Sequence, residues 1–241
     1  ELTLSDEILT EAQQHLVSIR DWIRFCVSCF RGCDVHLGHG SDDPFAEATA
    51  LVMQTLNLSW SADGEIIDAR VLPSEAAAIA ETLKRRVNDR TPLAYLLNLS
   101  YFANLPFYVD ERVLVPRSPL AELIAAKFAP WLSRPSPRRI LDIGTGSACI
   151  TIAAALNFSN AQVDATDISA SALQVASINR SRHGLESRLK LIEADLFPPP
   201  TAAYDLIISN PPYVPDAVVD ALPAEYHNEP ALGLAAGGDG M

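Results

Sequence analysis

The 241-residue sequence predicts an α/β fold: a parallel sheet covered by helices on both faces, preceded by a small helical domain and a β-hairpin linker. Three observations predict it. From residue 139 onward, short β-branched and apolar runs alternate with helical patterns, the signature of βαβ units around a buried parallel sheet. Residues 1–90 show helical periodicity alone. Between them, residues 93–115 concentrate Tyr95, Tyr101, Phe102, Phe107, Tyr108, Val109, Val113 and Val115, the residue types that favour strands. The expected division is a helical domain at 1–90, a hairpin linker at 91–116 and the α/β domain at 117–241.

The helical domain opens at Ser5, an N-cap followed by Asp6 and Glu7. Apolar residues then recur at Ile8, Leu9, Ala12, Leu16, Ile19, Ile23, Val27 and Phe30, which predicts helix throughout. After the loop Gly38-His39-Gly40, Asp43-Pro44 supplies an N-cap and a first helical position for a second helix to about Leu56. Ser74 opens a third, through Ala80, Leu83 and Val87 to about Asn88. In the linker, Asn104 and Pro106 interrupt the hairpin. A further helix, from Pro119 to about Trp131, precedes the polar, proline-rich stretch 133–137. Strands follow at 140–143, 162–166, 189–193 and 205–209, with helices at 148–156 and 171–182.

The formal net charge is -12. Residues 1–90 carry fifteen acidic and eight basic groups and residues 91–241 fifteen and ten, so both parts are acidic. Affinity built on phosphate neutralisation needs clustered Lys and Arg, so direct nucleic-acid binding is not expected and a basic partner is. No apolar run reaches the roughly 18 to 20 residues of a membrane span and no basic-then-apolar leader is visible, so the expected setting is cytoplasmic, without membrane contact. Cys26, Cys29 and Cys33, with His36 and His39 beyond them, suggest a metal site at first glance. Their spacing matches no cluster motif. Cys26 and Cys29 fall on the helical apolar pattern, where a free thiol packs as a small apolar group, so core packing is expected and no metal.

The chemistry lies in the α/β part. Asp142-x-Gly144-x-Gly146 follows the first strand and opens a helix, the place where such sheets bind nucleotide-like ligands. The acid stands two residues before the first glycine, and Cys149 occupies the position where a dinucleotide fingerprint has its third glycine. That favours S-adenosylmethionine, which has no pyrophosphate to cradle but carries a positive charge and an amino group that an acidic turn can hold. Asp167, closing the second strand, is placed to accept the ribose hydroxyls, or to cap the next helix. Asp195, after the third strand, is placed to accept from the adenine amino group, or to serve as a turn residue.

Asn210-Pro211-Pro212-Tyr213 follows the fourth strand, read here as a buried one. Two prolines ending such a strand imply a fixed backbone without donors. The Asn210 side-chain oxygen and the Pro211 carbonyl can accept both hydrogens of an amide or amino group and aim its lone pair at a methyl donor. Tyr213 can pack against the planar target. Taken alone, the tetrapeptide fits a carboxamide or an adenine.

Together these residues resemble the family of glutamine methyltransferases of the translation machinery, over nearly the whole chain. Residues 38–44 and 107–119 are similar to the branch acting on the third protein of the large ribosomal subunit, where Pro116-Arg117-Ser118-Pro119 replaces the release-factor branch's Pro-Arg-Pro-Asp. The resemblance implies a Rossmann-like methyltransferase domain and S-adenosylmethionine as cofactor. Asp142, Gly144, Thr145, Gly146, Asp167, Asp195 and Asn210 would hold it, with Arg117 and Glu122 in a loop packed beside it. Asn210 through Tyr213 would hold the target glutamine. The partner implied is a basic large-subunit ribosomal protein, met before assembly and recognised by the helical domain. Glu229-Pro230 also resembles a family segment, without an assigned role. Ala148 stands where the family commonly has glycine. The family continues with a helix and three strands beyond Met241, so the sheet is expected to be C-terminally incomplete, with an exposed edge.

Two other functions fit parts of the pattern. The same cradle serves an adenine methyltransferase after base flipping, and a scaffold that has lost catalysis would keep the fold without the motifs. The release-factor glutamine is a third possible target.

Overall fold

The computed structural model describes residues 3–59, 64–132, 136–199 and 203–238. The chain divides into two compact units, Glu1–Leu97 with Pro223–Asn228, and Asn98–Leu222 with Glu229–Met241.

The first unit is helical: α1 (Asp6–His15), α2 (Ile19–Gly32), α3 (Pro44–Thr55), α4 (Pro73–Asn88) and α5 (Leu93–Leu97), with 3-10 turns at Gly64–Asp68 and Ala224–Asn228. Ser5 caps α1 by accepting from the Ile8 N–H. The periodicity that predicted one long helix is broken by a cap inside it. Ser18 Oγ accepts from the Asp21 N–H, while Asp21 Oδ2 accepts from the Val17 and Ser18 N–H groups, which ends one helix and starts the next. Asp43 caps α3 as expected, with Pro44 at its first position. Ser74 does not cap α4, which begins one residue earlier, with Glu75 accepting from the Leu72 N–H.

Trp22, Leu51, Ile79 and Leu83 fill the core of this unit. Cys26 and Cys29 pack into it from α2, and burial pushes both thiols up, Cys29 to about 12. One buried cation is fully engaged there. Arg86 donates to Glu47 (2.6 Å), to the His36 carbonyl (2.7 Å) and to Glu225 (3.4 Å), and Glu225 also accepts from the His36 N–H (2.9 Å). Residues 224–228 are thereby fastened to α4 although they lie far along the chain.

In the second unit the hairpin is shorter than predicted. Strands β1 (Ser100–Phe102) and β2 (Leu105–Phe107) pair antiparallel across Ala103 and Asn104, both at positive φ as a tight two-residue turn requires. Asn104 therefore forms the turn rather than interrupting a strand, Pro106 sits within β2, and residues 108–115 run without strand pairing. Helix α6 (Leu120–Ala125) stops well short of Trp131 because Lys127 and Phe128 adopt positive φ, a turn that buries Phe128 against Phe158. The predicted proline-rich stretch falls in part on 133–135, outside the described residues.

The sheet consists, among the described residues, of β3 (Arg139–Ile143), β4 (Gln162–Asp167), β5 (Leu189–Glu193) and β6 (Leu206–Ser209), all parallel in the order β5-β4-β3-β6. Helices α7 (Cys149–Asn157) and α8 (Ala170–Arg182) connect them. These bounds agree with the predicted ones to within a residue or two, because each strand is apolar and flanked by turn residues. Strand β6 is not the buried strand expected. It pairs with β3 on one side and is the outermost strand of the described sheet, with Ile208 buried but Ile207 half exposed. Short helices α9 (Asp216–Val219) and α10 (Ala231–Leu234) complete the unit. Among the described residues no helix is long and apolar enough to cross a membrane.

Candidate active site

At the C-terminal ends of the strands, where an open α/β sheet leaves room for a ligand, lies a cleft of about 610 Å³. Five segments line it: 111–118, 143–150, 167–172, 194–196 and 209–212, together with residues 230–233. Gly144, Thr145, Gly146, Asp167, Asp195, Asn210, Pro211, Pro212 and Arg117 are thus brought together in one place. A second groove, of about 560 Å³, lies at the opposite strand ends around Arg139, Gln162 and Arg188, and no motif residue lines it.

The glycine turn is built so that a ligand can approach its backbone. Gly144 and Gly146 have φ of +71° and +54°, and a Cβ at either would meet open space rather than protein. The Gly144 and Thr145 N–H groups donate to the Thr166 carbonyl, bolting the turn to the end of β4. Asp167 holds its far side: one carboxylate oxygen accepts from the Gly146 N–H (2.8 Å), the other from the Ser169 N–H (2.9 Å). Ser169, not Asp167, caps α8, by accepting from the Ala172 N–H. Both oxygens of Asp167 keep a lone pair free for a ligand.

Asp142 occupies a different place from the one its spacing suggests. It is 1% exposed and lies beneath the turn, outside the lining of the cleft. Its Oδ2 accepts from the hydroxyls of Thr145 (2.8 Å) and Thr151, and those two hydroxyls also meet each other at 2.6 Å. Oδ1 is buried without a hydrogen-bond partner among the described residues. Burial pushes the Asp142 carboxyl up to about 6, against the threonine hydrogen bonds that lower it, and the charge of Asp167 adds to the rise.

Asn210 is half buried at the other end of the cleft. The Ser118 hydroxyl lies 3.5 Å from its Oδ1, and the same Oγ accepts from the Leu120 N–H at 3.3 Å. Tyr213 is 67% exposed and does not line the cleft. Arg117 lines it, but its guanidinium is engaged: both terminal nitrogens donate to Glu229, at 2.6 and 2.7 Å. Glu122, expected in the same loop, is exposed and does not line the cleft, and the carboxylate that Arg117 meets is Glu229. The other arginine of the cleft, Arg112, is likewise paired, with Asp110 at 2.5 and 2.9 Å. The lining carboxylates Glu111, Asp167 and Asp195 therefore outweigh its cations.

Three contributors were missed in the sequence. Asn179, fully buried on α8, accepts from the Tyr108 N–H (2.7 Å) and donates to the carbonyls of Tyr108 and Ser147 (2.9 Å each), joining the linker to the glycine turn. Thr151 supports Asp142 from one turn inside α7. Glu229 holds Arg117. Asn179 and Thr151 look like ordinary helix residues in the sequence; the resemblance of Glu229-Pro230 to a family segment was the only signal available for the third.

A model of the Methyltransferase small domain matches residues 124–235, which include the glycine turn, both later carboxylates and the Asn210 tetrapeptide. The chain is 48% identical to a ribosomal protein uL3 glutamine methyltransferase of Bordetella pertussis over 95% of its length and 78% of that protein's. The proteins of the same name from Neisseria gonorrhoeae and Burkholderia pseudomallei are 42% and 43% identical, each over 97% of this chain and 79% of their own length. With the glycine turn, Asp167, Asp195 and Asn210-Pro211-Pro212 all on one cleft, the chain belongs to the family of ribosomal protein uL3 glutamine methyltransferases.

Proposed function

We propose that this enzyme transfers a methyl group from S-adenosylmethionine to the side-chain amide nitrogen of a glutamine in ribosomal protein uL3, in the cytoplasm and before that protein enters the ribosome. The observation that carries the reading is the placement of Asn210-Pro211-Pro212 in the same cleft as the glycine turn and Asp167. The residues fit such a cofactor. Open space at Gly144 and Gly146 admits an adenosyl group close to the backbone, the lining is acidic, and both arginines of the cleft are neutralised by their own partners. When bound, the cofactor supplies an electrophilic methyl on a positively charged sulfur.

The chain's own residues supply binding and orientation. Asp167, steadied by two backbone N–H groups, keeps lone pairs for the ribose hydroxyls, and Asp195 accepts from the adenine amino group. Thr145 and Gly146 present the turn to the methionine portion. Asp142 acts from beneath, as the brace of the turn and as a negative field, rather than by direct contact. At the other end, the Asn210 oxygen and the Pro211 carbonyl accept the two hydrogens of the target amide; Tyr213, exposed and outside the lining, is not assigned the packing role expected of it.

A carboxamide nitrogen is a poor nucleophile because its lone pair is delocalised into the carbonyl. Two acceptors on its hydrogens favour the positive charge that develops as the nitrogen–carbon bond forms, and they hold the nitrogen in line with the methyl. No strong base is needed during transfer, since the methylated nitrogen loses one of its own hydrogens to water afterwards. An acidic enzyme also attracts a basic protein at a distance.

The test is to supply methyl-labelled cofactor with uL3, a peptide chain release factor or nucleic acid as acceptor. Label on uL3 is expected. Label confined to the release factor would move the substrate to the other branch, and label on nucleic acid alone would replace the amide by an adenine amino group.

A further inference from the structure

The Arg117–Glu229 pair is not explained by cofactor binding. Glu229 is buried, its side chain wholly so, and each carboxylate oxygen accepts from a different guanidinium nitrogen, at 2.6 and 2.7 Å. This planar fork is a geometry that a lysine cannot reproduce. Both partners stand on walls of the cleft, Arg117 within 116–118 and Glu229 immediately before 230–233.

Those walls close on the asparagine tetrapeptide from two sides. Beyond Glu229 the chain returns to Val214, the residue that follows the tetrapeptide: the Val214 N–H donates to the Leu234 carbonyl (3.1 Å), and the Ala236 N–H donates to the Val214 carbonyl (2.9 Å). Beside Arg117, Ser118 approaches the Asn210 oxygen, and its own oxygen is occupied by the Leu120 N–H, which leaves the hydroxyl hydrogen for Asn210. Segments 116–118, 229–236 and 210–214 thus form a closed ring of contacts, and the ion pair is its strongest link. Breaking the link from the arginine side strands a buried carboxylate.

We propose that Arg117 and Glu229 are positioning residues for methyl transfer, fixing the cleft wall that sets the direction of the Asn210 carboxamide. The pair acts on turnover and not on cofactor affinity. This rests on the reading of residues 210–213 as the cradle of the target amide.

The experiment compares Glu229→Gln, Arg117→Lys and Asn210→Ala in the full chain, measuring cofactor Kd by calorimetry, kcat and KM with uL3, and thermal midpoint. Misplacing a reacting group by about 1 Å costs on the order of a hundredfold, so Glu229→Gln is expected to lower kcat by about tenfold to a hundredfold. Arg117→Lys, which keeps the charge and loses the fork, should fall less. In both, cofactor Kd and the KM for uL3 should stay within about threefold of the parent. The deficit should persist at a temperature where each variant is fully folded, which a merely structural role would not produce. If Glu229→Gln does not fold, Arg117→Lys decides alone. Unchanged kcat in a folded variant, or a cofactor Kd that weakens in step with kcat, overturns the proposal. Normal turnover in Asn210→Ala would remove the cradle itself, and with it anything for the pair to position, whereas loss in Asn210→Ala with normal Glu229→Gln and Arg117→Lys refutes the pair alone.

Discussion

At Ala148 a side chain stands where the backbone asks for glycine: φ is +64° and the residue is fully buried at the start of α7. The left-handed conformation costs a Cβ-bearing residue roughly 1–2 kcal/mol. Glycine would remove that cost, but would lose a buried methyl worth about 0.8 kcal/mol and add roughly 0.4–1 kcal/mol of unfolded-chain entropy. Ala148→Gly should therefore leave the urea-unfolding free energy within about 1 kcal/mol of the parent, while Ala148→Val, β-branched at positive φ in a filled space, should lose about 2 kcal/mol or more. Asp142 makes a second residue-scale prediction. Its carboxyl titrates near 6 in the folded chain against an ordinary 3.8, so between those values the folded state holds the extra proton. Its contribution to stability falls as pH rises through that window and stays low above it. The stability of the parent relative to Asp142→Asn should drop, by on the order of 3 kcal/mol, between pH 4 and 7. A flat difference would show that the carboxyl titrates normally. The spacing of Asp142 was legible in the sequence. Its position beneath the turn was not, because that depends on the hydroxyls of Thr145 and Thr151, and threonine in a helix carries no mark of such a partner.

Among the elements, α8 does more than cover the sheet. Through Asn179 it ties the linker at Tyr108 to the glycine turn at Ser147 with three hydrogen bonds in a dry interior. Asn179→Ala would leave an N–H and two carbonyls unsatisfied, at roughly 1–3 kcal/mol for each group that water cannot reach. The expected outcome is a lower thermal midpoint together with cofactor affinity weakened about tenfold or more; unchanged affinity would mean the turn holds its shape unaided. The sequence located the strands of the sheet well because their apolar runs end at strong turn residues, Gly144 and Asn210 among them. It failed where a local signal competed with a periodic one. The Ser18–Asp21 capping box divides α1 from α2 within an unbroken apolar repeat, and the positive φ of Lys127 and Phe128 stops α6 where the helical pattern runs on. Residues 108–115 have the composition of a strand, yet the backbone of Tyr108 pairs with the Asn179 side chain, a partner no local pattern reveals.

For the whole molecule, the net charge of -12 makes encounter with a basic protein faster than with a neutral one. Raising salt from about 0.05 to 0.5 M shortens the screening length several-fold, so kcat/KM for uL3 should fall with little change in kcat. An unchanged kcat/KM would assign recognition to short-range contacts instead. The fastening of residues 224–228 into the helical unit by Arg86 and Glu225 is a whole-chain property of the same kind as the Arg117–Glu229 pair. Both join residues more than a hundred positions apart, which is why neither was visible in the sequence, whereas the glycine turn, Asp167, Asp195 and Asn210 were, each lying at or just beyond the end of a strand. The central claim is that Asn210 and Pro211 hold a glutamine side-chain amide for methylation. It is tested most directly by fragmentation mass spectrometry of uL3 after incubation with the parent enzyme and with Asn210→Ala at matched cofactor saturation. A methyl on a glutamine side-chain nitrogen, present with the parent and absent with Asn210→Ala, is the predicted result; a methyl on another residue type, or an equal yield from Asn210→Ala, would contradict it.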